Sequence, residues 1–359
     1  MENKYEIVKQ GIKNAIISGE YHVSDKLPTE SELMGRFNVS RYTIRRAIGD
    51  LQNEHFIYRI QGGGMYVDDW QTERVVQVNN KMVGVITTHI ADYIFPNIIS
   101  GIDRVVSNNG YSIIISNTHN NHDKERQSLI RMLDINVDAL IVEPTQSALP
   151  NPNLDIYRRI KESGIPTLFI NAHYADLDFP YIGTADTTAE QQLTEYLLKQ
   201  GHKRILGIFQ IDDIQGVHRM NGFVQAYSKH SEISYLSEIV MYQSSDEMAK
   251  IFDKISTMLA RKDRPTAIVC YNDQLAIQLI DVIRSLDLKV PGDVAVVGFD
   301  DYQLSKFIEP SLTTMNHEKE KMGIDAGNMI IKMIQNEDVE SMIYQPEMIV
   351  RKSSGGTVK

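Results

Sequence analysis

LPTESELMGRFNVSRYTIRRAIGDLQNEHFIYRIQGGGMYV, residues 27–67, is the stretch from which the fold can be read. Pro28 ends whatever precedes it. Thr29 followed three positions later by Glu32 is a capping-box signature, so a short helix is expected to about Arg36, with Leu33 and Met34 as its apolar contacts. Phe37-Asn38-Val39 makes a tight turn, and Ser40 can cap a second helix by accepting a bond from a free N–H of its first turn. In that helix Ile44, Ala47, Ile48 and Leu51 recur at i, i+3, i+4 and i+7 and form one apolar face. Tyr42, Arg45, Arg46 and Gly49 fall on the other side, with Arg41 and Thr43 in the first turn. A recognition helix holds its side chains there, against base edges and phosphates. Arginine grips guanine O6 and N7, or a phosphate, with two bonds. Phe56–Ile60 then reads as a strand, Gln61-Gly62-Gly63-Gly64 as a turn, and Met65-Tyr66-Val67 as the returning strand. Its side-chain-free tip lets the backbone lie close to a phosphate or enter a minor groove.

Each feature alone is common: an exposed arginine run is usually a solvated face, and glycines also cradle nucleotide phosphates. No Lys-Ser/Thr and no helix follow Gly62–Gly64, which argues against a nucleotide loop. Capped helix, tight turn, basic outer face and Gly-tipped hairpin in this one order point to a winged helix-turn-helix. Residues 1–67 resemble the DNA-binding domain of the GntR family of bacterial regulators, with Tyr5–Ser18 as its first helix. The DNA-facing candidates are then Glu30, Arg41, Tyr42, Thr43, Arg45 and Arg46, with Gln61, Gly62, Gly63 and Gly64 in the wing.

A formal charge of −10 is unexpected for a DNA binder, but it is unevenly placed. Residues 1–67 hold nine Lys/Arg and eight Asp/Glu, leaving 28 and 39 for the remainder of the chain. Arg36, Arg41, Arg45, Arg46 and Arg59 supply five of the nine, and local clustering is what attracts phosphate. With 359 residues, two or three folded units are expected. The single Cys270 excludes an internal disulfide, and no apolar run is long enough to span a membrane. The amphipathic N-terminus lacks an apolar signal core, so a cytoplasmic location is expected.

Polar residues 68–81 read as a linker that carries Trp70, the only tryptophan. From residue 82 onward, apolar strands alternate with amphipathic helices: MVGVITT (82–88), YSIIISNT (111–118), VDALIVEPT (137–145), IPTLFIN (165–171), YIGTAD (181–186), RILGIF (204–209), EIVMYQ (238–243), TAIVCYND (266–273) and VAVVGFDD (294–301). Such runs mean parallel sheets covered on both faces. There are too many strands for one compact sheet, so two α/β lobes with a cleft between them are expected over 82–359. Ligands bind beyond the carboxyl ends of such strands. Polar residues recur there: Thr88 and His89, Glu143, Asn171 and His173, Asn272 and Asp273, Asp300 and Asp301. Any one of them is an ordinary cap or turn former, but together they suit the hydroxyls of a neutral sugar.

DALIVEP (138–144), GHKRILGI (201–208), RMNGF (219–223), CYNDQLAI (270–277) and SLTTMNHEKEKMG (311–323) make residues 82–352 resemble the ligand-binding region of the LacI/GalR family, itself similar to periplasmic sugar-binding proteins. That resemblance implies effector contacts at Asn171, Arg219, Asn272, Asp300 and His317. Glu143 and His173 join them as strand-end candidates, and Tyr93 or Phe95 as the aromatic against the sugar. LacI-type regulators begin with their own helix-turn-helix and a minor-groove hinge helix, and neither is present. A GntR-type head on a LacI-type sensor resembles the arabinose-responsive repressors. The expected function is therefore repression through duplex operator DNA, bound as a homodimer and released by a sugar, L-arabinose above other pentoses, hexoses or sugar phosphates. A transport-binding protein has no use for residues 1–67. An enzyme would need a Ser/His/Asp set, a phosphate loop or a dinucleotide fingerprint, and none is found. No cofactor is expected. His119-Asn-Asn-His122-Asp has metal-like spacing but lacks further ligands nearby, so no metal is expected either.

Overall fold

A computed structural model describes residues 4–60, 63–69, 81–90 and 93–355. The chain divides into two units, Met1–Val78 and Asn79–Lys359. Residues 70–80, which include Trp70 and most of the expected linker, lie outside the described residues, as do Gln61 and Gly62 of the expected wing tip.

The first unit runs α1 (Lys4–Ile17), α2 (Glu30–Phe37), α3 (Arg41–Asn53), β1 (Ile57–Ile60) and β2 (Gly64–Val67). The Thr29 N–H donates to the Glu32 carboxylate (2.7 Å) while the Thr29 hydroxyl accepts from the Glu32 N–H, which completes the capping box. Asn38 ends α2 in the left-handed region (φ 49°), a conformation that asparagine tolerates, and this makes the turn tight. The Ser40 hydroxyl accepts from the Thr43 N–H (3.2 Å) and starts α3. Ile44, Ala47, Ile48 and Leu51 are fully buried and share a cluster with Val8, Ile12 and Ile16 of α1. Burying each large side chain contributes about 1.5–3 kcal/mol, so a charge at Ile48 would break this unit. The antiparallel hairpin pairs Ile60 with Gly64, whose φ of +116° strains any residue with a Cβ.

The second unit holds two lobes, each built on a six-stranded sheet among the described residues. Lobe 1 takes β3 (Met82–Thr87), α4 (Phe95–Asn108), β4 (Ser112–Asn117), α5 (His122–Asp134), β5 (Ala139–Val142), α6 (Leu154–Glu162), β6 (Thr167–Asn171) and β7 (Tyr181–Thr184). Lobe 2 takes α7 (Asp186–Lys199), β8 (Ile205–Gln210), α8 (Ile214–Ser228), β9 (Glu238–Tyr242), α9 (Met248–Leu259), β10 (Ala267–Cys270), α10 (Asp273–Ser285), β11 (Ala295–Asp300) and β12 (Thr313–Asn316). The chain then returns to lobe 1 for α11 (Lys319–Ile334) and β13 (Met342–Tyr344), and ends on lobe 2 with β14 (Met348–Ile349).

The strand orders are β13-β7-β6-β5-β3-β4 and β14-β12-β11-β10-β8-β9. Pairing is parallel except for β14 against β12. The continuous apolar runs feed both faces of each sheet: in β5, Ala139 and Ile141 join one core cluster, Leu140 and Val142 the other. The expected two-lobed architecture is present. α11 carries an apolar stripe of Met322, Ala326, Met329 and Ile330, and its buried face also includes Gly323 and Gly327. A Cβ on Gly323 would lie 2.1 Å from the Ile98 carbonyl oxygen, so α4 and α11 pack with their backbones in near contact.

Among the described residues the chain passes between the lobes three times, at Ala185, at His317-Glu318 and at Gln345-Pro346-Glu347. The three passages lie side by side. The Ala185 N–H donates to Tyr344 O (2.9 Å), the Asn316 N–H to Glu347 O (2.8 Å), and a small cavity of about 70 Å³ is lined by all three flanks.

Candidate functional site

Strand order reverses between β3 and β5 in lobe 1 and between β8 and β10 in lobe 2. The carboxyl ends of these strands frame a cavity of about 580 Å³ between the lobes. Tyr93, Phe95, Glu143, Arg219, Asn272 and Asp300, six of the nine expected effector residues, line it. Asn171 and His317 stand one layer behind. The Asn171 amide donates to the Glu143 carboxylate (2.9 Å), and His317 Nδ1 lies 3.5 Å from Asp300 Oδ1. His173 is not among the lining residues; its ring stacks on Tyr181 with centroids 4.1 Å apart.

Arg219 of α8 is the centre of the site and is only 2% exposed. Its Nε donates to Asp186 (2.8 Å), Nη1 to the Tyr271 carbonyl (2.7 Å) and Nη2 to Asp300 (3.2 Å). Its guanidinium also lies 3.7 Å from the Phe299 ring centroid, a desolvated cation–π contact. Five N–H donors meet three partners here, so two remain for a ligand. Arg219 is the one Lys or Arg among the described residues lining the cavity. A cavity with one cation that is already paired suits hydroxyls better than phosphates.

The carboxylates are tuned apart. Burial opposes ionisation of Asp300, but Arg219, His317 and the Tyr93 hydroxyl outweigh it and hold its carboxyl well below the usual range. Burial pushes Glu143 up to about 7, against the bonds it accepts from the Thr88 N–H, the Thr88 hydroxyl and the Asn171 amide. Asp186 is pushed up to about 6 by burial, with Arg219 pulling the other way.

Three of the expected residues carry unusual backbone: Tyr93 (φ 62°), Asn171 (φ 63°) and Asp300 (φ 94°). Strain of this kind costs about 1–3 kcal/mol for a residue with a Cβ and concentrates at functional sites. Tyr93 belongs to lobe 1, yet its hydroxyl donates to Asp300 Oδ2 of lobe 2 (2.6 Å) and accepts from the Asp273 N–H (3.3 Å). Phe95, by contrast, opens α4 and packs into the lobe 1 core. Further bonds between the lobes run from the Ser147 hydroxyl to Asp213 (3.1 Å) and from the Asn120 amide to the Ser244 hydroxyl (3.0 Å).

Two site residues were not singled out from the sequence. Asp186, at the end of YIGTAD, is Arg219's nearest carboxylate; only its place at a strand end hinted at this. Asp213 caps α8, and it also lines the cavity and accepts from the Tyr271 hydroxyl.

In the head, Arg41, Tyr42, Arg45 and Arg46 are all exposed, Tyr42 to 76%. Arg41 and Tyr42 have no hydrogen-bond or ion-pair partner among the described residues. Arg45 pairs with Glu30 (3.0 Å), which also holds Arg59 of β1 (3.1 Å). Arg46 turns aside to α1, its guanidinium 4.3 Å from the Tyr5 ring centroid. The Thr43 hydroxyl lies 2.9 Å from that of Ser40. At the hairpin tip the Gly63 N–H donates to Ile60 O (2.9 Å), and Gly64 pairs back to Ile60.

Comparison with known proteins agrees with both halves. Residues 4–67 match the profile of bacterial regulatory proteins of the gntR family, and residues 194–354 that of a periplasmic binding protein-like domain. The chain is 40% identical to an arabinose metabolism transcriptional repressor of Halalkalibacterium halodurans, over 99% of this chain and 97% of that protein. It is 39% identical to a protein of the same description from Geobacillus stearothermophilus, over 98% and 97% of the two chains. Among solved structures, a periplasmic binding protein/LacI transcriptional regulator from Alkaliphilus metalliredigens, complexed with D-xylulofuranose, shares the sensor fold. It has a TM-score of 0.65 at 21% identity and covers 76% of this chain and 98% of its own.

Proposed function

Since this chain belongs to the family of arabinose metabolism transcriptional repressors, we propose that it binds operator DNA as a dimer through its winged heads and releases it when L-arabinose fills the cavity between the sensor lobes. The observation that carries the sugar reading is the buried Arg219–Asp300 pair facing that cavity from the ends of the lobe 2 strands. Asp300, held ionised, accepts two sugar hydroxyls, and the spare N–H groups of Arg219 donate to the ring oxygen or to a third. Asn272 supplies an amide, and Glu143 accepts from the lobe 1 side. Asn171 and His317 act through Glu143 and Asp300, which they orient. His173, stacked on Tyr181 outside the lining, makes no contact with the sugar in this reading.

In the head, Arg41 is free to take a guanine edge or a phosphate. Arg45 exchanges Glu30 for the DNA, Tyr42 and Thr43 flank them, and Arg46 reaches the backbone only by leaving Tyr5. The glycine tip of the wing, with Gln61 and Gly62, lies in the minor groove. Two heads read two half-sites related by the dimer axis. No helix of the described residues is long and apolar enough to cross a membrane, and operator binding puts the site of action in the cytoplasm. To move occupancy from 99:1 to 1:99 the sugar must favour the released geometry by about 5.5 kcal/mol.

Calorimetric titration with L-arabinose, other pentoses, hexoses and a sugar phosphate, with and without operator, tests this. L-arabinose is expected to bind and, by linkage, to bind more weakly when operator is present. No heat with any pentose would overturn the effector assignment. Asp300→Asn should remove the sugar response and leave operator binding intact; loss of both would assign Asp300 to folding alone.

A further inference from the structure

The cavity is larger and chemically more divided than one pentose requires. A pentose has about ten non-hydrogen atoms, each displacing at most one water of ~30 Å³, so the 580 Å³ available is roughly twice what one ring needs. Its inner end holds the buried charges: Arg219, Asp300 and Glu143 are 2%, 3% and 6% exposed. Its outer end has a different character. There Gln243 and Ser244, after β9, and Gln274 and Gln278, on the outer face of α10, are exposed to solvent and still line the cavity. Asn120 and Gln146 face them from lobe 1, and Asn120 bridges to Ser244 (3.0 Å). No Lys or Arg of the described residues lines this mouth.

Side-chain amides both donate and accept, which matches hydroxyl groups whose orientation varies and supplies no full charge to balance a charged substituent. On the reading that the inner end takes an arabinose ring, we propose that the outer end is a second subsite for a neutral, glycosidically linked sugar unit. The sensor would then bind a short arabinose oligosaccharide as well as the monosaccharide. The reducing or non-reducing ring sits on Arg219 and Asp300, and the linked ring extends between α10 and the segment after β9. The bonds that hold the second ring are neutral amide–hydroxyl bonds at a solvent-facing mouth, so each adds little by itself, and the subsite widens the ligand range more than it raises affinity.

The test is calorimetric titration of the full chain with L-arabinose and with an arabinose disaccharide, repeated on a Gln243→Ala/Gln278→Ala double variant. Both residues are exposed, so the variant folds as the parent does. The disaccharide is expected to bind the parent and to lose about three- to tenfold in the variant, while L-arabinose changes by less than about twofold. Binding of L-arabinose without binding of the disaccharide would overturn the second subsite and leave the effector reading standing. Equal loss for both sugars in the variant would overturn it too, by making the mouth part of the first site. If neither sugar binds, the arabinose reading on which this inference rests fails first.

Discussion

The head and the sensor use arginine in opposite ways. In the head, Arg41, Arg45 and Arg46 stand in solvent; Arg41 has no partner among the described residues, Arg45 pairs with a carboxylate and Arg46 with a ring face. In the sensor, Arg219 is sealed in, with every contact fixed by a fold that spans residues 186 to 300. A polyanion with a strong field of its own needs only mobile cations on a rigid helix. A small neutral sugar exerts no such pull, and its site must be built beforehand, with charges already paired so that the empty cleft is not left holding an unpaired one.

That contrast can be broken at Arg219 first. Arg219→Met leaves Asp186 and Asp300 buried without their cation and should cost the sensor about 3–5 kcal/mol. In a thermal melt the sensor transition should fall while the head's stays; an unmoved sensor transition would deny that the pair holds lobe 2 together. The mirror experiment is Arg41→Ala or Arg45→Ala. Each should cost about 1–3 kcal/mol of operator binding if a base is read, with both melting transitions unchanged. Unchanged operator affinity in both variants would sink the assignment of α3.

A pH titration sharpens the sensor side. Glu143 sits near 7 because burial raises it, so below that pH it is mostly protonated and becomes a weaker acceptor for a sugar hydroxyl, with one oxygen turned donor. Sugar affinity should therefore fall as pH drops below 7, by at most about tenfold per unit, and Glu143→Gln should flatten the profile. The sign for stability is the reverse. A carboxyl whose folded pKa is raised favours the folded state at low pH, and that contribution is lost as pH rises from about 4.3 through 7. The smallest effect belongs to Arg46→Ala, which should lower head stability by about 0.5–1 kcal/mol through the lost contact with Tyr5 and change operator affinity less than Arg41→Ala does. The opposite order of effects would put Arg46 on the DNA.

How much could be read beforehand follows the same division. The head was legible because its rules are local. Thr29 with Glu32, Ser40 with Thr43, and Ile44 with Ile48 are each settled within four residues. Arg46 shows the limit: its place on α3 puts it outside, but Tyr5 of α1 arrives there from another element. The sensor's layers were legible from continuous apolar runs, and much of its site from polar strand ends joined to a family resemblance. Asp186 was missed because nothing within ten residues of it identifies Arg219, thirty-three positions later, as its partner. The passages between the lobes rest on pairings such as the Asn316 N–H with Glu347 O, thirty-one positions apart, which no local pattern marks.

The three passages have a mechanical consequence. A single strap would let two bodies twist, slide and bend; three short straps lying side by side and bonded to one another resist the first two and leave bending. The sensor's output is then one angle, and whatever fills the cleft speaks to the rest of the chain only by the value it sets. Ligands that differ in every hydroxyl but prop the lobes at the same opening would be indistinguishable downstream, and a tight binder that props them wrongly would be silent.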